Sequence, residues 1–401
     1  MVTYLVQYDL NLFSDFTYFL NQTTGDEINQ RDSRVYVGTR AEHTVYGKIL
    51  GRDMENTFGF KVRQDWIGLT LDNVQNRALI SHVRTDHVSQ LNIAPWYQNK
   101  TQWLNWFRSV EGVRGDIFYF NSTSDLPVDS GNGYTGTLNP KLSLVFGPWS
   151  KTEFYIDGGF GFHTNDARGI FSSIDPGAGE PSRQLPALVH TRGTEVGVRT
   201  TDVPHLNSTL SVWSLWSDSD TFFDGDKGSV VDADRPGVRY GVEFSNLVTP
   251  TSWLSFDVNL AYSYAYFTDG DPQSVGILIP ESVTTVASAG VSVKNIPGFK
   301  NFFGSLRLRE FGPRPLIEDG SQTSRPSTIF NLASGYLISK TWSLNVEVLN
   351  LLNTSYNDNE YYYSSRLKGE AAGPDDGGGY NDHMVHTGEP RSLRATLLAR
   401  F

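Results

Sequence analysis

The chain has 401 residues, no cysteine and a formal net charge of −11, which excludes disulfides and thiolate metal sites and argues against a nucleic-acid partner. No run of about 18 apolar residues occurs, so no membrane-spanning helix is predicted. Aromatic residues make up 13% of the sequence and glycine accounts for 38 positions, a composition that favours strands joined by tight turns. We therefore expect an all-β protein.

Alternation of apolar and polar residues predicts about 16 antiparallel strands, because a strand places every second side chain on the same face. In chain order they are 3–19, 34–49, 55–71, 83–99, 103–121, 137–148, 152–163, 189–201, 206–218, 236–248, 252–268, 281–294, 301–312, 326–338, 341–352 and 391–401. Within them, apolar pairs such as Phe256 and Val258 alternate with polar residues such as Asp257. A charge in mid-strand needs water or a partner. The pattern therefore predicts a transmembrane β-barrel with a lipid-facing outside and a wet lumen.

The connections between these strands alternate in length. Short ones fall near 50–54, 100–102, 149–151, 202–205, 249–251, 295–300 and 339–340. Long ones fall near 20–33, 72–82, 122–136, 164–188, 219–235, 269–280, 313–325 and 353–390. Tryptophans beside the short turns fit an interfacial girdle (Trp103, Trp149, Trp253 and Trp342). We expect the short turns to be periplasmic and the long loops extracellular.

The final eleven residues, RSLRATLLARF, alternate strictly except at Leu398. The apolar positions share one face and end on the terminal aromatic residue (Leu393, Ala395, Leu397, Ala399 and Phe401). The same alternation places Leu344 and Val346 on the outside of the preceding strand. An apolar outer face that ends on a lone aromatic residue fits a barrel strand in lipid better than a soluble sheet.

Three segments together resemble TonB-dependent receptors, the energised importers of the Gram-negative outer membrane. VEVLNLLNTSY at 346–356 resembles the penultimate strand of that family, with the motif positions Asn350, Leu351, Leu352, Asn353 and Tyr356. EPRSLRATLLARF at 389–401 is similar to the final strand, and 138–169 looks like a family hairpin. Residues 1–137 fit as earlier barrel strands.

The resemblance implies a barrel of about 22 strands, an N-terminal plug domain and a short box that contacts TonB. We find neither plug nor box, and residues 1–12 lack the features of a secretory signal. We therefore expect residues 1–401 to be part of a barrel domain from a truncated or incompletely predicted gene product. A passive 16-stranded porin is the alternative, since about 16 strands also close a barrel.

The function implied by the resemblance is uptake of a scarce nutrient across the outer membrane, such as a ferric siderophore, another metal chelate or a cobalamin-like compound. The TonB complex would act through the missing plug, and the last strand with Phe401 would be the signal read by the barrel-assembly machinery. No hydrolase, metalloprotease or nucleotide-binding motif is present, so neither enzymatic activity nor a cofactor is expected. An outer-membrane hydrolase would need a nucleophile and base that the sequence does not show.

Three groups of residues are candidates for ligand contact. The first group flanks loop 164–188, where imidazole and charged groups can contact a ligand (His163, Asp166, Arg168 and His190). The second group lies in loop 353–390, where aromatic rings can stack on a ligand and a guanidinium can bind its carboxylates (Tyr361, Tyr362, Tyr363 and Arg366). The third could bind a soft metal (His383, Met384 and His386). The alternatives are polar residues capping strands under a wet loop, an aromatic belt, and histidines incidental to a mobile loop.

Overall fold

The computed structural model describes residues 1–174, 181–224, 229–269 and 276–400. Within these ranges the strands are β1 (Val2–Ser14), β2 (Ile28–Ile49), β3 (Arg52–Gln75), β4 (Ala78–Leu104), β5 (Phe107–Ser124), β6 (Gly131–Trp149), β7 (Thr152–Thr164), β8 (Leu188–Thr200), β9 (Leu206–Ser217), β10 (Thr221–Asp224), β11 (Ser229–Asp232), β12 (Gly237–Thr251), β13 (Leu254–Phe267), β14 (Thr285–Ile296), β15 (Phe299–Phe311), β16 (Ser327–Leu337), β17 (Trp342–Leu349), β18 (Asn357–Ser365), β19 (Tyr380–Thr387) and β20 (Ser392–Ala399). The helix α1 (Ala167–Phe171) and the 3₁₀ turns Pro127–Asp129 and Asp376–Gly378 complete the set. No helix in this part of the chain is long and apolar enough to cross a membrane.

Sixteen of the strands form one antiparallel sheet, in which each strand pairs with the next strand of the sheet along the chain. β10 with β11 and β18 with β19 form two separate hairpins inside long connections. The predicted all-β, antiparallel fold is confirmed, and each of the 16 predicted strands corresponds to one strand of the sheet. The two hairpins were not predicted, because they lie within segments rich in turn-forming residues.

The strands on the long-loop side extend further than the alternation predicted. β3 and β4 have 24 and 27 residues, and the predicted long loop 72–82 is reduced to a turn at 76–77. Pairing continues through polar partners such as Asp72 with His82, with register shifts on either side of them. The alternation is lost there because both faces carry polar residues. Two predicted short turns are also displaced: 100–102 lies inside β4 and 249–251 inside β12, and the chain turns at 105–106 and 252–253.

The two faces of the sheet differ in chemistry as predicted. The outer face carries Phe256, Val258 and Leu344, whose side chains are 38%, 38% and 39% exposed. In the last pair of strands, Val346 lies opposite Ala395 on the outer face, while Glu347 lies opposite Arg394 on the other face. We call that second face, which also carries Asp257, the inner face. Phe401 lies outside the described residues.

The sheet has two edges in the described chain. β1 pairs only with β2 and begins opposite Arg40, so residues 41–49 of β2 have no strand on that side. β20 pairs only with β17, and no pairing joins β1 to β20 among the described residues. Loops near the two edges do meet, since the Phe19 N–H donates to the Arg366 carbonyl at 2.8 Å and the Arg366 N–H to Thr17 at 3.2 Å.

The wall parts between β6 and β7. β6 pairs with β5 over most of its length, but with β7 only from Lys141 towards the short turn, so 131–140 have no described partner on that side. The end of β7 and α1 instead pack on the inner face of β4 and β5, where the ring centres of Phe162 and Phe118 are 5.8 Å apart. The resulting buried cluster holds Val88, Phe118, Phe120, Ala167 and Leu188. Residues 165–174 are thereby directed onto the inner wall.

Candidate functional site

A cavity of about 490 Å³ lies on the inner face of β2–β5, beneath residues 164–167. Its lining is mostly polar, and the residues that carry its chemistry are Arg34, Lys61, Arg63, Asp65, Asn92 and Asp166. Inner-face side chains of four neighbouring strands converge here because each strand presents every second residue to the lumen. The cavity is therefore built by the strands and covered by the loop that follows β7.

Arginine–aspartate pairs two residues apart line this wall. Positions i and i+2 of a strand share a face, so the two side chains lie side by side. Each pair makes two hydrogen bonds of 2.6–2.8 Å on three adjacent strands (Arg63 to Asp65, Arg84 to Asp86, and Arg114 to Asp116). Bidentate pairing of this kind is strong and fixes the orientation of both groups. Most of the charge of this wall is therefore neutralised within the wall itself.

The cavity nevertheless keeps a positive excess. Lys61 makes no ion pair within the described ranges, and the Nε atom of Arg34 is buried without a hydrogen-bond partner although its Nη2 donates to Asp32 at 2.8 Å. Three cations line the cavity against two carboxylates (Arg34, Lys61 and Arg63; Asp65 and Asp166). An anionic group is the ligand chemistry that this arrangement favours.

Of the four residues predicted around loop 164–188, the structure brings two together. Asp166 caps α1 by accepting the Arg168 N–H at 2.9 Å, and the Arg168 guanidinium donates to both Asp166 oxygens at 2.9 Å. His163 lies next to them on the inner face, with a buried Nε2 atom that no described residue contacts by a hydrogen bond. His190 pairs with Phe162 in the register and lies on the outer face, 3.8 Å from Asp218.

Asp129 anchors the loop that covers the cavity, and sequence reasoning did not find it. Its fully buried carboxylate accepts the N–H groups of Ser173 at 2.9 Å and Ile174 at 3.2 Å, and the Ser172 hydroxyl at 3.3 Å. Arg84 lies 3.8 Å away. Asp129 precedes β6 in a short 3₁₀ turn, where no periodic pattern marks a residue as buried.

The second and third predicted groups fall largely on the β18–β19 hairpin. Tyr361 lies opposite Met384 and Tyr362 opposite His383, whose rings are 5.5 Å apart. His383 therefore points to the face opposite to Met384 and His386, and the three do not converge. In the described ranges no group of three or more His, Cys, Asp or Glu is placed to hold a metal ion. The other two residues of the second group, Tyr363 and Arg366, have different partners. Tyr363 lies opposite Asp382, and the Arg366 guanidinium donates to the Glu370 carbonyl at 2.6 and 3.0 Å.

Two glutamates lie in and near this hairpin, of which Glu360 is buried and Glu281 is partly buried. Glu360, 2% exposed, accepts the Arg325 N–H at 3.2 Å and the Asn357 amide at 2.6 Å, with His383 3.6 Å away. Glu281 lies in the connection between β13 and β14, and its N–H donates to the Pro315 carbonyl at 2.7 Å. Burial raises the pKa of Glu281 to about 7, and attraction to Arg314 only partly opposes this.

We expect the contact between these loops to weaken as pH rises through about 7. The folded pKa of Glu281 lies above its unfolded value, so its protonated form stabilises the packed loops and that stabilisation is lost when the proton leaves. Amide hydrogen exchange at Glu281, compared at pH 5 and pH 8 with the Glu281→Gln variant as the reference for intrinsic exchange, measures the effect. Wild type should lose protection relative to the variant at pH 8, and identical pH profiles would contradict the prediction.

No protein-family model and no curated protein sequence matches this chain. Solved structures do match along its whole length. The pyoverdine outer membrane receptor FpvA from Pseudomonas aeruginosa PAO1 matches with a TM-score of 0.73 and 12% identity, over 100% of this chain and 58% of that one. The copper transporter OprC matches with a TM-score of 0.72 and 14% identity, over 100% of this chain and 62% of that one. The ferric yersiniabactin uptake receptor FyuA from Yersinia pestis matches with a TM-score of 0.71 and 13% identity, over 100% of this chain and 58% of that one. These neighbours are TonB-dependent outer-membrane receptors.

This chain thus shares its fold with these barrels, as the end motifs suggested, and at 12–14% identity the likeness establishes the fold alone. The chain spans about three fifths of the length of these neighbours, between 58% and 62%.

Proposed function

We propose that this chain is the barrel part of an outer-membrane receptor that takes up a scarce nutrient. The observation that carries the proposal is the structural match over the whole chain to receptors and transporters whose names include pyoverdine, ferric yersiniabactin and copper. The neighbours are receptors and transporters, which agrees with a role other than catalysis. The inner-face cavity has more cations than carboxylates, which favours a ligand with an anionic group, as in carboxylate-bearing metal chelates.

We further propose that residues 1–401 form part of a larger barrel, energised by the TonB complex through a plug outside this sequence. The unpaired edges at β2 and β20 and the longer chains of the neighbours support this view. Assembly would begin from β20 and place the strands in the outer membrane, with loops 165–187 and 350–391 extracellular. A passive porin would need β1 to pair with β20, and within the described chain each pairs elsewhere.

Substitution of Lys61 tests the proposal in cells that produce the whole gene product. Lys61→Gln removes the unpaired cation of the cavity, and a lost charge-assisted hydrogen bond costs about 1.5 kcal/mol or more, roughly tenfold in affinity. Binding of ⁵⁵Fe-labelled ferric citrate to energy-depleted cells, and its uptake by energised cells, are the measurements. Both should fall about tenfold with Lys61→Gln and recover with Lys61→Arg.

Lys48→Gln is the matched control, because that side chain is 70% exposed near a short turn and lies 3.6 Å from Asp53. It should leave binding and uptake unchanged. Uptake of the chelate that does not depend on energy, or equal losses in the two glutamine variants, would contradict the proposal.

A further inference from the structure

A groove of about 760 Å³ lies on the outer face where β6, β7 and β8 meet. Most of its outward-facing side chains are apolar (Leu142, Leu144, Ile156, Phe160 and Trp216), and Thr194 and Arg192 are the polar ones. Three of these side chains are about half exposed, at 46% for Leu142, 48% for Ile156 and 51% for Phe160. The proposed function does not use this groove, since it lies on the opposite side of the wall from the inner-face cavity.

Two features of the sequence create the groove. The first is that β6 and β7 stop pairing beyond Lys141 and Gly159, so the wall has a gap above them. The second is Gly158, which lies between Leu142 and Thr194 in the register and presents no side chain to the outside. A Cβ atom built on Gly158 would have its nearest neighbours at 3.8 and 3.9 Å, so the space above it is open.

One cation on the outer face marks an end of the groove, whereas Lys141 and Asp157, which also line it, belong to the inner face of the wall. Arg192 lies opposite Phe160 on β7 and Trp216 on β9, with its guanidinium 6.0 Å from the Trp216 ring. Its side chain is exposed and forms no ion pair with any residue that the structure describes. An outward-facing arginine in a membrane-facing wall requires an anionic or aqueous contact, because an unpaired charge in hydrocarbon is costly.

Arg192 lies inside the apolar band near its far boundary, where the long side chain of an arginine reaches the lipid headgroups. It precedes Thr200, the last residue of β8, by eight positions, which is about 26 Å along a strand at about 3.3 Å per residue. A strand tilt of about 40° reduces this to about 20 Å above the short-turn rim, and the apolar band of such barrels is about 25 Å tall. The stacked Trp106 and Trp149, 6.1 Å apart, mark the opposite rim.

We propose that this groove binds one phosphate-bearing membrane lipid, with an acyl chain on the apolar floor and the phosphate on Arg192. The proposal rests on the proposed function only for the location of the wall in a membrane. Charge complementarity selects the headgroup, since a guanidinium binds phosphate through two parallel hydrogen bonds. The apolar floor selects a lipid over free phosphate, because phosphate would leave that floor exposed to water.

The test uses the whole gene product, extracted from outer membranes in mild detergent and titrated with lipid under native mass spectrometry. The probes are dioleoylphosphatidylglycerol, dioleoylglycerol, which lacks the phosphate, and inorganic phosphate. Wild type should retain phosphatidylglycerol about tenfold more strongly than Arg192→Gln. The two proteins should retain dioleoylglycerol equally, because only the phosphate contact has been removed.

Gly158→Leu provides the second arm, because it fills the floor from a position with room for a side chain. It should weaken retention of both lipids, whereas the control Lys300→Gln, an exposed cation at a short turn, should change neither. Folding of each variant is verified by heat-dependent migration on gels. Equal retention by wild type, Arg192→Gln and Gly158→Leu would overturn the proposal, as would displacement of the lipid by millimolar inorganic phosphate.

Uptake measurements on the same variants separate this proposal from the proposed function. Arg192→Gln and Gly158→Leu should leave binding of the ferric chelate unchanged, since neither residue lines the inner-face cavity. Lipid retention that follows the pattern above in a protein that imports no chelate would refute the proposed function and leave the lipid site intact.

Discussion

Expressed alone behind a secretory signal, residues 1–401 should fail to accumulate as a stable barrel in the outer membrane. The sheet has unpaired edges at residues 41–49 of β2 and along β20 in the described chain. Both edges lie towards the short-turn rim, where the outer face is apolar. Every unsatisfied backbone group in hydrocarbon costs several kcal/mol, so two such edges make insertion unfavourable by tens of kcal/mol.

The expected result is degradation, misassembly or nonspecific leakage, read from heat-modifiable migration, protease sensitivity and antibiotic permeability of the cells. The whole gene product, expressed in the same way, is the control and should give a heat-modifiable band. Tightly gated, energy-dependent uptake by residues 1–401 alone would refute the prediction. Discrete porin-like conductance would show instead that β1 and β20 close a 16-stranded barrel.

The fold was predictable from the sequence because its physical cause is local. In a barrel wall the side chains alternate between lipid and water, and that alternation is visible wherever the outer face is apolar, as along β13 and β17. Where both faces carry polar residues the pattern loses its information. For that reason the end of β3 and the start of β4, which meet at the turn at 76–77, were predicted as a long loop at 72–82.

The candidate site was only partly predictable. Asp166, which caps α1 at the cavity, and Arg168, which pairs with it, could be predicted as loop residues. Lys61 and Arg63, which lie in the middle of a strand, were not predicted. The repeated spacing of arginine and aspartate at i and i+2 on β3, β4 and β5 is a usable signal in retrospect, because only a strand brings such residues to one face. No comparable signal exists for Asp129, whose partners are backbone groups more than 40 residues away.

Replacing Asp129 with alanine should release residues 165–174 from the inner wall. The carboxylate holds two backbone N–H groups and a serine hydroxyl, and hydrogen bonds to a charged acceptor contribute about 1.5–3 kcal/mol each. Arg84 keeps its bidentate partner Asp86, so the substitution leaves no unpaired buried charge and the strands themselves should remain folded. At the lower of these values the three bonds amount to about 4.5 kcal/mol, so we expect the open population to increase roughly a thousandfold.

Trypsin cleavage after Arg168 on intact cells that produce the whole gene product measures this opening. In the closed loop Arg168 is held against Asp166, so cleavage there reports release of the loop. Asp129→Asn keeps an acceptor oxygen for the two N–H groups and should give an intermediate rate. Asp53→Ala, at a side chain that is 83% exposed on the opposite rim, should leave the rate unchanged. Because residues 164–167 cover the cavity, the same Asp129→Ala variant should also bind the anionic chelate more weakly. An unchanged rate of cleavage after Arg168 in this variant would show that other contacts hold the loop.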